Sequence, residues 1–243
     1  MRKLILLFAT IALALFSLLV SAQKSSSNKF PHASERSQDA ARILPLLSVV
    51  PENGVPKELL DKAEAIGIFP KVERETMYFT QTMYFTHLIH GYGVISARQG
   101  KGWTTPAFYE FMGAGYGSPL AEKENYGVVM LFMSEQVVDS FEKGGVQMKG
   151  ENKSAAGPVG TITDQQRKEL EGANLLTYVY YNGKLTGISY SKRFGLNPDN
   201  KINTPLYGMK GREVLVGKKI DTASLPDGIT AYQEGLQKYY ARP

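Results

Sequence analysis

Histidines are the residues of this chain whose type and spacing could bind a metal ion. The sequence has three of them, His32, His87 and His90. Zinc needs ligands that converge on one ion, whereas residues three positions apart on a β-strand point to opposite faces of the sheet. The tyrosine, phenylalanine, threonine and isoleucine around His87 and His90 favour a strand. Helical spacing would suit a shared ion, but no carboxylate lies close in sequence as a third ligand. We therefore expect no metal and no cofactor.

Three glycines at every second position, Gly113, Gly115 and Gly117, could form a phosphate-binding loop. The run lacks both the G-x-G-x-x-G spacing and the Lys-Ser/Thr that ends a P-loop. Glycine at alternate positions of a strand clears one face for a close neighbour or a tight bend. We interpret the glycines as a packing feature.

Catalytic motifs are also missing from the sequence. There is no G-x-S-x-G elbow, no H-E-x-x-H sequence and no ordered Ser/His/Asp set. Glu110, Asp139 and Asp199 could meet in space as a carboxylate pair, although no spacing nominates them. We expect a protein that is not an enzyme, and an unrecognised hydrolase is kept as an alternative.

The amino terminus predicts export. Arg2 and Lys3 precede an apolar run, and Val20-Ser21-Ala22 fits a signal-peptide cleavage site. An uncleaved membrane anchor is the alternative, because the apolar run is nearly long enough to span a bilayer. The chain contains no cysteine, which excludes disulfides and thiolate chemistry. Its formal net charge of +5 falls to +3 when Arg2 and Lys3 are removed, a balance that permits contact with anionic lipid.

Two helices are predicted near the start of the mature chain. From Ser37, four apolar residues recur at helical spacing, and Pro45 should kink or end that helix near Leu44. A second helix begins at Val55-Pro56 and extends to Gly67. A short buried strand over Ile66–Phe69 should then stop at Pro70.

Further on, the pattern changes to that of a sheet. Met77–Thr80 is repeated as Met83–Thr86, which indicates a duplicated strand segment or two hairpin arms. Val128–Met133 is continuously apolar, as in a strand buried on both faces, and Ser134 is placed to cap a helix. Asn182-Gly183 predicts a type I′ hairpin turn. The small residues of Ser154–Gly160 predict an irregular, tightly packed connection rather than a strand.

The most basic part of the mature chain lies near its carboxyl end. It contains Lys192, Arg193, Lys201, Lys210, Arg212, Lys218 and Lys219, opposed only by Asp199 and Glu213. Such a run is either a solvated surface or a face for anionic headgroups. A weak helical pattern follows over Asp221–Pro243.

Several segments together resemble the SYLF domain family. These are Val55–Ile66 with Phe69–Val72, Trp103–Phe108, Val128–Phe141, Ala155–Gly160, Leu175–Leu176, Gly187–Ser189 and Leu206–Gly208. The likeness covers about Ser37 to Lys219. It departs from the family where the Met-Tyr-Phe-Thr duplication replaces a Gly-rich hairpin, and where Pro45 interrupts the N-terminal helix. The resemblance implies a lipid-binding domain, with actin regulation in fungal and animal members, and the signal peptide argues for an exported bacterial-like member.

The expected fold is α+β, a single domain dominated by an antiparallel sheet, with N-terminal helices packed on it. The sheet is expected either to stay open or to close into a barrel-like form. The leading hypothesis is a non-catalytic exported module that recognises anionic phospholipid or a membrane surface, in the periplasm or outside the cell. An envelope protein-interaction scaffold is the alternative, and no nucleic-acid partner is expected. The candidate lipid contacts are Lys71, Arg98, Lys101, Trp103, Lys192 and Arg193. The predicted boundaries are a signal peptide over 1–22, a flexible tether over 23–36, the domain over 37–220 and a tail over 221–243.

Overall fold

The computed structural model describes residues 30–48, 52–79, 84–115, 126–139, 146–147, 154–188 and 194–242. Its helices are α1 (Pro31–Ile43), α2 (Lys57–Lys62), α3 (Glu135–Asp139), α4 (Asp164–Glu169), α5 (Asn200–Tyr207), α6 (Gly211–Leu215) and α7 (Asp227–Tyr240). Its strands are β1 (Ala65–Phe79), β2 (Tyr84–Gln99), β3 (Gly102–Trp103), β4 (Ala107–Gly115), β5 (Tyr126–Phe132), β6 (Val146–Gln147), β7 (Ser154–Ala156), β8 (Leu175–Tyr181), β9 (Lys184–Gly187) and β10 (Phe194–Pro198).

One curled, half-barrel sheet organises the described part of the chain. Its strand order is β6-β10-β4-β2-β1-β5-β8-β7, with β3 added to β2 and β9 added to β8. Among these pairs, all are antiparallel except β7 with β8. This confirms the α+β class and the antiparallel sheet expected from the sequence.

The buried strand predicted over Val128–Met133 is an interior strand of the sheet and ends one residue earlier, at Phe132. It is β5, between β1 and β8, and every residue from Tyr126 to Phe132 is buried. Ser134 is followed by helix α3, as predicted, and Val137 of that helix is fully buried. A continuous apolar run therefore marks the core strand correctly.

The strand that was expected to stop at Pro70 continues to Phe79. The register against β2 shifts between Ile68 and Lys71, so one extra residue is accommodated in a β-bulge. Proline has no N–H to give to a ladder, and a bulge is a place where a strand tolerates it. The facing strand approaches very closely, because a Cβ built on Gly93 would lie 2.2 Å from the carbonyl oxygen of Ile68.

The duplicated Met-Tyr-Phe-Thr stretch forms two hairpin arms, one of the two interpretations drawn from the sequence. The first copy ends β1 and the second begins β2, with Met77 opposite Thr86 and Phe79 opposite Tyr84. Thr80–Met83 lie outside the described residues. The hairpin predicted at Asn182-Gly183 is also confirmed, because these residues have φ of 48° and 76° between β8 and β9.

The helices differ from their predicted limits in two places. Helix α1 begins at Pro31 rather than Ser37, so the last residues of the predicted tether are helical, and it ends at Ile43 before a 3-10 turn over Leu44–Leu47, as Pro45 required. Helix α2 spans only Lys57–Lys62 and does not reach Gly67. Ala63 is already extended and Ala65 starts β1, and an arginine described below binds carbonyls at this end of α2.

The segment Ser154–Gly160 was predicted to contain no strand, and this is wrong for its first three residues. Ser154–Ala156 form β7, parallel to β8. The rest is irregular and partly buried, and the amide of Gly157 donates to the carbonyl of Thr177 at 3.1 Å. Small side chains here serve a close approach to β8 rather than excluding a strand.

Helix α7 makes the carboxyl-terminal segment part of the helical layer. Ile229, Tyr232, Leu236 and Tyr240 are buried. The helix packs against α1, and the amide of Gly228 donates to the Ser34 hydroxyl at 3.3 Å. On the other side of the layer, Asn203 of α5 exchanges two hydrogen bonds with the backbone of Phe108 at 2.9 and 2.8 Å. Helices α1 and α7 thus pack together, and α5 is held against β4.

Candidate functional site

Arg98, at the end of β2, binds the carboxyl ends of two helices. Its guanidinium donates to the carbonyl oxygens of Leu60 and Ala63, both at 3.0 Å, at the end of α2. It also donates to the carbonyl oxygen of Tyr240, the last residue of α7. A cation at these termini satisfies carbonyls left without an intrahelical partner and opposes the helix dipoles. This geometry gives Arg98 a structural role beside the lipid contact proposed from the sequence.

Trp103 is the aromatic half of the same cluster. Its ring lies 3.7 Å from the guanidinium carbon of Arg98, and its indole N–H donates to the carbonyl of Tyr240 at 3.2 Å. Burial lowers the pKa of Arg98 to about 10, and the neighbouring charge of Arg242 acts in the same direction. Arg98 therefore stays charged at neutral pH while stacked on the ring.

The turn between β2 and β3 brings together three distant parts of the chain. The backbone amide of Arg242 donates to the carbonyl of Lys101 at 3.1 Å. The side chain of Gln99 donates to the carbonyl of Gly217 at 3.2 Å, and a Cβ built on Gly102 would lie 3.0 Å from the side chain of Gln237. The loop after α6 and the end of α7 therefore both contact this turn.

These contacts bring basic residues, or their neighbours in sequence, to the turn between β2 and β3. We define the basic end as Lys101, Lys218, Lys219, Lys238 and Arg242. Glu64 pairs with Arg242 at 2.9 Å and Glu213 pairs with Lys218 at 2.5 Å. Within the part of the chain that the structure describes, no salt bridge involves Lys101 or Lys219. Both side chains are exposed.

An exposed apolar side chain lies beside these lysines. Val216 is 47% exposed and directly precedes Gly217, whose carbonyl contacts Gln99. It is among the few large hydrophobic residues of the described chain with that exposure. Cations around a projecting apolar side chain suit the boundary between headgroups and acyl chains.

The other residues nominated from the sequence lie elsewhere. Lys71 is on β1 at the bulge, exposed and paired with Glu73 at 2.6 Å. It lies in a groove beside α1 and not at the basic end. Lys192 and Arg193 lie outside the described residues. Of the nominees, the structure brings together Arg98, Lys101 and Trp103.

Sequence reasoning did not nominate Val216, Lys238 or Arg242. Lys218 and Lys219 were recognised only as part of a basic stretch. These residues can be identified only from the tertiary structure, because the segments near residues 100, 217 and 240 are brought together by the packing of α7 and of the loop after α6. Nothing in local spacing predicts that meeting.

In the described residues, no helix has the length and apolarity to cross a bilayer. His, Asp and Glu do not gather there in groups of three or more that could hold a metal ion. His87 and His90 both lie on β2. The predicted non-enzymatic character stays a prediction.

Together these features define an α+β domain with a curled antiparallel sheet, one layer of helices and a cationic end with an exposed valine. The family model described as Ysc84, Las17-binding protein actin regulator, matches residues 118–238. This match confirms the SYLF resemblance, and the matched residues form part of a domain of the actin-regulator and lipid-binding type. Comparison with curated proteins gives no significant match. The matched range includes Lys218, Lys219 and Lys238, whereas Lys101 and Trp103 precede it.

Proposed function

We propose that this protein is a non-catalytic, exported module that binds anionic phospholipid at a membrane surface through its basic end. The observation that carries the proposal is that the turn holding Lys101 contacts Arg242, after the end of α7, and Gly217, which lies between exposed Val216 and the pair Lys218 and Lys219. The family supports the class of domain, and the geometry of the basic end supports the choice of surface.

The energetics favour a surface contact rather than an enclosed pocket. Each lysine or arginine near an anionic membrane contributes about 1 kcal/mol. Four such cations together supply about 4 kcal/mol, a weak and reversible attachment with a Kd near the millimolar range. Insertion of one valine side chain into the acyl boundary adds about 1.5 kcal/mol. The attachment should therefore depend strongly on salt.

Export completes the proposal. The basic n-region, the apolar run and the Val20-Ser21-Ala22 sequence support cleavage near Ala22 and a periplasmic or extracellular protein. In such a location the partner would be the anionic surface of a membrane or of released lipid. An envelope protein partner is the second candidate, and a separate surface that suits it is described below.

A charge-reversal pair tests the assignment of the surface. We expect the double variant Lys101→Glu with Lys219→Glu to bind vesicles containing phosphatidylserine at least about 30-fold more weakly, because about 2 kcal/mol of attraction is lost. Neither side chain forms a salt bridge within the described residues, so stability should change little. Vesicle sedimentation gives the partition coefficient.

The matched control is Lys168→Glu with Lys184→Glu, which changes the net charge equally at exposed positions of α4 and β9. This control should bind within about twofold of the unsubstituted protein, since remote charges are screened beyond about 10 Å. Equal weakening in both double variants would show that only net charge matters and would refute the basic end as the binding surface.

A further inference from the structure

A strip of the sheet beside α1 is not covered by the helical layer. The register places His90 opposite Met112 and Met112 opposite Gly195, across β2, β4 and β10. The next row places Tyr92 opposite Glu110 and Glu110 opposite Asn197. Residues opposite each other in such rows share one face of the sheet. We define the open strip as His90, Tyr92, Glu110, Met112, Gly195 and Asn197.

The open strip is partly apolar. Met112 is 45% exposed and Tyr92 is 38% exposed, so two of the exposed large hydrophobic residues of the described chain lie here together. A Cβ built on Gly195 would meet nothing within 4 Å. Exposed apolar side chains that are contiguous, rather than scattered, indicate an interaction surface.

The dimensions of the open strip suit one more helix. Neighbouring strands lie about 4.8 Å apart, so β2 to β10 spans about 10 Å, close to the 8–10 Å that separates packed helices. Helix α1 borders one side, where the Arg36 guanidinium lies 4.4 Å from the Tyr92 ring centre. Asp199, at the start of α5, pairs with Arg36 at 2.8 Å and borders the end of β10. This ion pair bounds the open strip where α1 and the start of α5 meet.

A groove of about 250 Å³ joins the open strip to α1. It is smaller than the usual 300–1,000 Å³ of a small-molecule site, and so fits a single side chain better than a metabolite. Its lining includes the carboxylates of Glu35, Asp39 and Glu73 together with His90 and Tyr92. His90 and Tyr92 belong to both the groove and the open strip, so the two surfaces are continuous.

The charge around the groove is negative although the chain as a whole is positive. The groove and its immediate contacts hold five carboxylates and three cations. The carboxylates are Glu35, Asp39, Glu73, Glu110 and Asp199, and the cations are Arg36, Arg42 and Lys71. Each of the cations is already paired, with Asp199, Asp39 and Glu73 respectively. The complementary partner is therefore cationic.

We propose that the open strip and its groove form a docking surface for a basic amphipathic helix of a protein partner. The apolar face of that helix packs on Tyr92 and Met112 and approaches closely over Gly195. One lysine or arginine enters the groove toward Glu35. This mode is that of a helix laid on an apolar surface with anchors at helical spacing. An anionic membrane would be repelled here, so the surface is independent of the basic end.

The test uses a fluorescein-labelled synthetic helix of leucine and lysine at amphipathic spacing, titrated against the full chain by fluorescence anisotropy. We expect Met112→Lys and Gly195→Lys each to weaken its binding at least about tenfold, because they place a charge under the apolar face of the probe. Glu35→Lys should weaken it as well. The matched control Thr186→Lys adds the same charge at an exposed strand position of β9 and should leave binding unchanged.

Several outcomes would overturn the proposal. These are an absence of probe binding to the unsubstituted chain, equal binding of a leucine and glutamate probe, and equal weakening by Thr186→Lys. A dimer seen by light scattering and lost in Met112→Lys would assign the strip to a second copy of the chain, and loss of vesicle binding in Met112→Lys would assign it to the membrane. Circular dichroism checks that each variant folds. If Met112→Lys does not fold, Gly195→Lys replaces it in the test, because its side chain projects into open space.

The same titration separates this proposal from the proposed function. The Lys101→Glu with Lys219→Glu variant should lose vesicle binding and keep probe binding. Loss of both activities in that variant would show one shared surface and would refute the independence of the open strip.

Discussion

Replacement of Arg98 by alanine is expected to lower the free energy of unfolding by about 3 kcal/mol. The variant loses charge-assisted hydrogen bonds to the carbonyls of Leu60, Ala63 and Tyr240, each worth about 1.5–3 kcal/mol before water replaces some of them. It also loses the stacking on Trp103 at 3.7 Å. The ends of α2 and α7 are left without their common cation. Urea unfolding followed by far-UV circular dichroism measures the change.

Two variants make this result specific. Arg98→Lys keeps the charge, but a single ammonium does not reproduce the planar set of donors, so an intermediate loss is expected. Lys101→Ala removes an exposed cation of the same turn and should change stability by less than about 0.5 kcal/mol. If Arg98→Ala were as stable as Lys101→Ala, the structural role of Arg98 would be refuted.

Gly157→Ala is the second substitution with a large expected effect, a loss of at least about 3 kcal/mol. A Cβ at this position would lie 2.0 Å from the ring of Tyr178, which is fully buried in β8. The backbone at Gly157 has no room to move away from Tyr178, because its carbonyl oxygen packs directly against Gly187. A Cβ built on Gly187 would lie only 2.0 Å from that oxygen. Overpacking in a rigid core commonly costs about 1–3 kcal/mol, and more when neither side yields.

Gly195→Ala is the matched control, because its Cβ would meet nothing within 4 Å. That substitution should be neutral or slightly stabilising, since alanine reduces the freedom of the unfolded chain. Urea midpoints of the two variants give the comparison. Equal midpoints would mean that the close packing of the Ala-Gly-Pro segment on Tyr178 does not govern stability.

The sequence predicted features that depend on residues close together in the chain. Pro45 ended helix α1 and Asn182-Gly183 formed a tight hairpin turn, because proline and positive-φ residues impose their geometry locally. The apolar run Val128–Met133 identified the interior strand β5, because continuous hydrophobicity favours burial on both faces.

Features that depend on a distant partner were predicted less well. Pro70 did not end its strand, because a bulge between β1 and its neighbours accommodates it. Helix α2 ended earlier than predicted, and Arg98, far along the chain, binds the carbonyls at its end. Ser154–Ala156 became a strand because β8 offered a free edge for parallel pairing.

The candidate site also contains residues that the sequence nominated and residues that only the fold brings to them. Composition nominated Arg98, Lys101 and Trp103, and these do lie together, yet two of them are engaged by the carbonyl of Tyr240. The remaining cations of the basic end come from the loop after α6 and from the end of α7. Their proximity to Lys101 is decided by helix packing, which no local pattern encodes.

The most direct measurement of the central claim is sedimentation of the unsubstituted protein with vesicles, at about 0.05 M and about 0.5 M salt. The account predicts that vesicles containing phosphatidylserine carry the protein into the pellet at low salt and release it at high salt, while vesicles of phosphatidylcholine alone leave it in solution. Equal recovery in the supernatant with and without phosphatidylserine at low salt, or equal pelleting with both kinds of vesicle, would contradict it.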